Sequence, residues 1–205
     1  MTKHCFQTLR DNAGCDFDHF VLDQGSTDGT QAWLKTQPVD ATFLDHNIGI
    51  SRGMNQLLDQ INPMNFDVIV KADNDLELVQ PDTLRLVADL AYNGGCLLSP
   101  RILGLQNPPR PTRELTVGDE TILDVPQIGG IFLAAPAHVY DEFRYSVDNP
   151  YWGMDDVQIC AWARARGGTC GYVKRLEAWH YMSTDGQPEA DPDYFVRKDA
   201  EYAAA

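Results

Sequence analysis

The stretch VIVKADNDLEL, residues 68–78, runs from an apolar segment through a lysine into two aspartates, Asp73 and Asp75, separated by one residue. Carboxylates held that close either raise each other's pKa or recruit a cation. If a strand carries them, side-chain alternation puts both on one face of its end. Asp-Asn-Asp is also ordinary turn chemistry, so a solvated turn after a core strand is the bland alternative. Further candidates stand near element ends: Asp23 closing FVLD, the pair Asp155 and Asp156 in YWGMDD, and His180 in AWHYMS. Acids at a helix start often serve as caps, and a histidine among aromatics is often a satisfied core residue. Together, carboxylates and an imidazole suit a hard to borderline divalent ion, Mg2+ or Mn2+.

Such groups need a scaffold that gathers strand ends, and the hydrophobic periodicity supplies one. Residues 3–13 predict a helix with Cys5, Phe6, Leu9 and Ala13 on one face, followed by a strand ending at Asp23. QGSTDGT reads as a turn in which Ser26, Thr27 and Asp28 offer caps to a helix through TQAWLKT. ATFLD predicts a strand, ISRGMNQLLDQI a helix and DVIVKA a strand. PDTLRLVADLAYNGG predicts a helix opened by Pro81 and stopped by a glycine pair, and CLLSP a strand after it. This alternation implies an α/β domain, Rossmann-like, with a mostly parallel central sheet flanked by helices. Ligands of such sheets sit beyond the carboxyl ends of the strands, where Asp23, Asp73 and Asp75 fall. In the second half, LGLQNPPRPTRELTVGDET reads as a long loop and GGIFLAAP as a buried strand. MDDVQICAWARARG reads as a helix with acids in its first turn and arginines in its last, and TCGYVK and LEAWHY as strands. The tail, 184–205, is polar and reads as partly frayed.

With 205 residues and 43% hydrophobic composition, the chain suffices for one substantial core rather than two. Its net charge of −14 disfavours a nucleic-acid partner, which needs a large basic footprint. An acidic chain that handles a phosphorylated ligand needs a metal ion to offset the repulsion, and Asp73 with Asp75 could hold one. The cysteines, five in number, form no C-x-x-C pair, which favours reduced, mostly structural thiols and a cytoplasmic protein. The longest apolar-leaning stretch, IGGIFLAAPAHV, is too short and broken to span a bilayer.

The order of these segments resembles the family 2 glycosyltransferases of the GT-A fold. The resemblance is carried by VLDQGSTDGT at 21–30, HNIGISRGMN at 46–55, VKADNDLEL at 70–78, GGIFLAAP at 129–136, YWGMDDVQICAWARARG at 151–167 and His180, which follow the family's order over nearly the whole chain. It implies an inverting, nucleotide-sugar-dependent transferase, with a single GT-A-like domain over 1–183. Within it, 1–100 would be the nucleotide-binding half and 101–183 the acceptor and catalytic half. Asp23 matches the acid that contacts the nucleotide base, beside Gly25 and Ser26. Asn47, Gly49, Arg52, Gly53 and Asn55 lie in the segment lining the nucleotide and ribose. Asp73 and Asp75 match the D-x-D signature, with Asp75 on the metal that bridges the diphosphate, Asp73 nearer the ribose, and Lys71 counted with the donor site. Gly129 and Gly130 match the loop lying against the donor sugar, where glycine lets backbone approach without a Cβ in the way. Asp155 and Asp156 match an acid pair whose second member is the usual general base, and His180 matches the histidine that often completes the metal shell.

The implied cofactor is Mn2+ or Mg2+ and the implied partner a nucleotide-sugar donor, a UDP-sugar first. Tyr151 and Trp152, just before the acid pair, are expected on the acceptor side, because aromatic faces pack on the C–H face of a sugar; a core position for Trp152 is the alternative. The acceptor itself and the oligomeric state have no signal. The family also has a strand before the helix at residue 3, ending in a small polar motif that touches the nucleotide, and the sequence begins after that point. A late start, a variant without the strand, or replacement by another element are the readings this leaves. The rival functions are a catalytically impaired nucleotide-sugar-binding module and a sugar nucleotidyltransferase. The latter would be expected to show a Gly-rich phosphate loop with basic residues near the N-terminus.

Overall fold

A computed structural model describes residues 1–105, 108–148, 154–181 and 196. The chain forms two compact units. The first holds the described residues of Met1–Asp16, Pro63–Phe143 and Asp156–Met182, and the second those of Phe17–Asn62, Arg144–Asp155 and Ser183–Ala205.

The first unit begins with α1 (Thr2–Asp11), whose buried Cys5, Phe6 and Leu9 face the short strand β4 (Leu76–Leu78). Its sheet has seven strands. The order is β3 (Val68–Ala72), β8 (Phe132–Pro136), β5 (Leu97–Leu103), β9 (Cys170–His180), β7 (Glu120–Asp124) and β6 (Arg113–Val117), with β4 joining β9 off this path. The helix α4 (Thr83–Gly94) lies across β3, β8 and β5 and buries Val87 and Ala91, neither of which is exposed at all. β8 is buried along its whole length, as a strand covered on both faces must be. The short helix α5 (Val139–Glu142) follows β8, and α6 (Asp155–Ala165) precedes β9.

The sheet is mixed, not mostly parallel as the alternation implied. Only β5 with β9 runs parallel; β3 with β8, β5 with β8, β4 with β9, β7 with β9 and β6 with β7 are antiparallel. The cause is insertion: β8 comes from far along the chain and separates β3 from β5, the strands that a βαβ reading would set side by side. The expected long loop is also corrected, because it contains β6 and the first two residues of β7. Gly118 and Asp119 turn this hairpin, with Gly118 at φ 57, and the runs on either side alternate.

The second unit consists of the parallel pair β1 (Phe20–Gln24) and β2 (Asp40–Leu44), the one-turn helix α2 (Thr30–Leu34), and α3 (Ile50–Ile61) packed on β1. Gly53 suits that close packing: a Cβ there would stand 3.1 Å from a methyl of Leu22 and 3.2 Å from the Gln24 side-chain nitrogen, so those side chains would have to give way slightly.

Candidate metal centre

Asp73 and Asp75 lie in the turn that joins β3 to β4, not on a strand face. Backbone bonds fix the turn at both ends. The Asp73 N–H donates to the Ile131 carbonyl at 2.8 Å, and the Tyr181 N–H donates to the Asp75 carbonyl at 2.9 Å. α1 supports it from the side: the Asn74 amide donates to Thr2 Oγ1 at 2.8 Å and the Cys5 thiol to the Asp73 carbonyl at 3.4 Å. Burial pushes that thiol up to about 11, against a backbone bond from Leu76, and the charges of Asp75 and Asp73 push the same way. Cys5 therefore stays protonated as a donor at neutral pH.

His180 arrives at the turn because β9 pairs antiparallel with β4, with His180 opposite Leu76. One ligand atom each from Asp73, Asp75 and His180 lies within 4.8 Å of the others, a spread that a single divalent ion can bridge. His180 Nε2 is 3.2 Å from Asp75 Oδ2, and its buried Nδ1 has no hydrogen-bond partner among the described residues. A buried imidazole nitrogen left without a partner is costly for a purely structural histidine. Carboxylate oxygens with one imidazole nitrogen are a donor set suited to Mn2+, and to Mg2+ if further oxygens come from ligand or water. The residues thus fit the divalent metal that the sequence resemblance implies. Gly104 guards this corner: at φ +91, a Cβ there would come 2.5 Å from the His180 carbonyl.

Lys71, on β3, joins the cluster. Its ammonium lies 2.6 Å from Asp73 Oδ1, with the side chain 7% exposed, and it also donates to the Gly130 carbonyl. Gly129 donates its N–H to the Tyr172 hydroxyl at 3.3 Å. Burial chiefly, eased by that bond, pushes Tyr172 up to about 12. A Cβ at Gly129 would meet nothing nearer than Ile131 at 3.8 Å, so protein packing does not demand glycine there.

The acid pair opens α6. Asp155 is buried, whereas Asp156 is half-exposed and its Oδ1 accepts from the N–H of Val157 at 2.8 Å. At the far end of α6, Arg164 donates to Asp124 and to the Val125 carbonyl, while Arg113 Nε reaches Asp124 Oδ2 at 2.8 Å. Burial alone would raise the Asp124 carboxyl; the bonds and charges of Arg164 and Arg113 outweigh it and hold the group below the usual range.

The remaining candidates belong to the second unit. Asp23 is 4% exposed, and its Oδ1 accepts from the N–H groups of Gly25 at 3.2 Å and Ser26 at 2.9 Å and from the Gln31 amide at 2.8 Å. Asn47 Oδ1 accepts from the N–H of Gly49 at 2.9 Å and so shapes the entry to α3. Asn55 brackets Tyr145, donating to its carbonyl at 2.9 Å and accepting from its N–H at 3.0 Å. Arg52 is exposed, and Gly53 is the packing glycine on β1. Tyr151 and Trp152 lie outside the described residues.

Sequence reasoning missed the supports of the site: Cys5 and Thr2 under the turn, Gly104 against His180, and the tie from Lys71 to Gly130. The helix face of Cys5 was legible, but its partner 68 residues away was not.

No protein-family model matches the sequence, and no curated protein matches it. Among solved structures, the crystal structure of GalNAc-T7 with UDP, GalNAc and Mn2+ superposes with a TM-score of 0.60 at 15% identity, over 82% of this chain and 38% of that one. The chain thus spans well under half of that protein's structure. The crystal structure of A197 from STIV superposes with a TM-score of 0.51 at 14% identity, over 80% of this chain and 85% of that one. The chain has a GT-A-like fold; at these identities the likeness speaks to fold alone.

Proposed function

We propose that this chain transfers a sugar from a nucleotide-diphosphate sugar, a UDP-sugar first, to an acceptor hydroxyl, as an inverting enzyme of the family 2 type. The observation that carries this reading is the convergence of Asp73, Asp75 and the otherwise unpartnered His180 nitrogen on one point of a GT-A-like fold. A neighbour in that fold was crystallised with UDP, GalNAc and Mn2+, which supports donor and metal class. A divalent ion held by Asp73, Asp75 and His180 would neutralise the diphosphate as it leaves.

The chain's own residues do the rest. Asp156 takes the acceptor proton as the acceptor oxygen bonds to the anomeric carbon and the bond from that carbon to the diphosphate breaks, so the configuration inverts. Asp155, buried beside it, is its supporting neighbour. Gly129 and Gly130 are assigned to the donor sugar, and Tyr151 and Trp152 to acceptor binding. Asp23, Gly25, Ser26, Asn47, Gly49, Arg52, Gly53 and Asn55 form the nucleotide side. The five unpaired thiols, four of them buried, support a reducing, cytoplasmic setting.

A thermal-shift screen of UDP-, GDP- and TDP-sugars with and without Mn2+ tests the reading. We expect a UDP-sugar to raise the melting temperature only when Mn2+ is present, and slow sugar-nucleotide hydrolysis to accompany it. No shift with any donor would overturn the reading. A shift without hydrolysis or transfer would leave a binding module.

A further inference from the structure

The turn that carries Asp73 and Asp75 is supplied with a cation from within the chain. Lys71 is nearly buried, 2.6 Å from Asp73, and tied to the Gly130 carbonyl. An ammonium so buried persists only where negative charge and carbonyl oxygen compensate it. Lys71 offsets one of the two carboxylate charges that Asp73 and Asp75 present to a visiting ion. A free divalent ion is therefore drawn in weakly and repelled by the ammonium at short range. An ion that arrives with a nucleotide diphosphate brings negative charge of its own, which the same ammonium attracts.

We propose that Lys71 is a positioning residue that sets the order of loading, weakening the Asp73–Asp75–His180 cluster for free divalent ions and strengthening it for the metal–diphosphate complex. Its bond to Gly130 fastens the cluster to the glycine segment, so Asp73 and that segment move together. The inference rests on the glycosyl-transfer reading for the identity of the diphosphate.

Calorimetry on the full chain tests it, with Mn2+ alone and then with UDP at saturating Mn2+, for the parent and for K71M, K71Q and K71R, each with its melting temperature. In K71M and K71Q, Mn2+ alone should bind about tenfold tighter, and UDP with Mn2+ about tenfold weaker. K71R, which keeps the charge, should stay near the parent in both. A residue that only packs the site would loosen Mn2+ on removal, so the sign separates the two roles. Unchanged or weaker binding of Mn2+ alone in the neutral variants overturns the inference, as does failure of both to fold, which would make Lys71 a structural ion-pair partner. A parent that binds no Mn2+, with or without UDP, overturns the glycosyl-transfer reading itself.

Discussion

In the first compact unit, Asp73, Asp75 and His180 gather ligand atoms within 4.8 Å of one another and leave a buried imidazole nitrogen without a partner among the described residues. In the second, Asp23, Asn47 and Asn55 direct their polar atoms onto the backbone and side chains of their own unit. The burial of the two units explains the contrast. The first unit buries β3, β8 and β5 of its sheet under α4, so its polar corner need not hold the fold together. In the second, the buried apolar side chains among the described residues are Leu34, Leu58 and Tyr145. A unit with so little apolar burial leans on hydrogen bonds to define its turns. A motif residue whose acceptors already close a turn is a scaffold group first, and whatever it offers a ligand must come from what remains.

The comparison breaks or sharpens by substitution. Asp156→Asn should have the largest effect, about two to four decades in kcat, with donor binding and melting temperature near normal; Asp155→Asn should slow turnover less. A reversed ranking makes Asp155 the base. Next, Asp75→Asn should weaken Mn2+-dependent UDP binding by about a hundredfold while the fold stays intact, because the cluster is not what stabilises its unit. Calorimetry showing unchanged UDP–Mn2+ affinity would remove Asp75 from the metal site.

Asp124→Asn probes the polar anchor of the first unit and should cost about 2 kcal/mol, read by urea denaturation, since it leaves Arg164 and Arg113 without their carboxylate. The same group has a pH signature. Its folded pKa is depressed, so its contribution is present above the ordinary carboxylate value of about 4 and is lost as pH falls toward the folded value. The parent should thus lose stability below about pH 4 more steeply than Asp124→Asn. The smallest effect belongs to Asp23→Asn, about 1 kcal/mol of stability without any nucleotide present, from weakened bonds to Gly25, Ser26 and Gln31. A variant with parental stability but lost UDP binding would show that Asp23 serves the ligand and not the turn.

Element types were legible because periodicity is local. ISRGMNQLLDQI matches α3 residue for residue, and the candidates Asp73, Asp75 and His180 fall on the described cluster. Strand pairing was not legible: nothing in FLAAP says that it will separate β3 from β5, since a uniformly apolar strand fits any buried slot. The β6–β7 hairpin could have been found from alternation on either side of Gly118 and Asp119, but the prolines before it biased the reading toward loop. The Asp73–Asp75 pair was assigned a strand face, whereas a turn holds it, because a register partner such as Tyr181 lies beyond any local window.

The eleven-residue β9 has a bearing on when the candidate cluster assembles during synthesis. His180 stands at the last position of a strand whose parallel partner, β5, was made some 70 residues earlier, and whose other neighbours, β7 and β4, come from separate parts of the chain. Such long-range pairing is slow, since the loop entropy is spent before the contacts form. A nascent chain that has emerged only through α6 holds Asp73 and Asp75 without their imidazole. The three groups of the candidate cluster first come together when β9 zips into place, late in the folding of this unit.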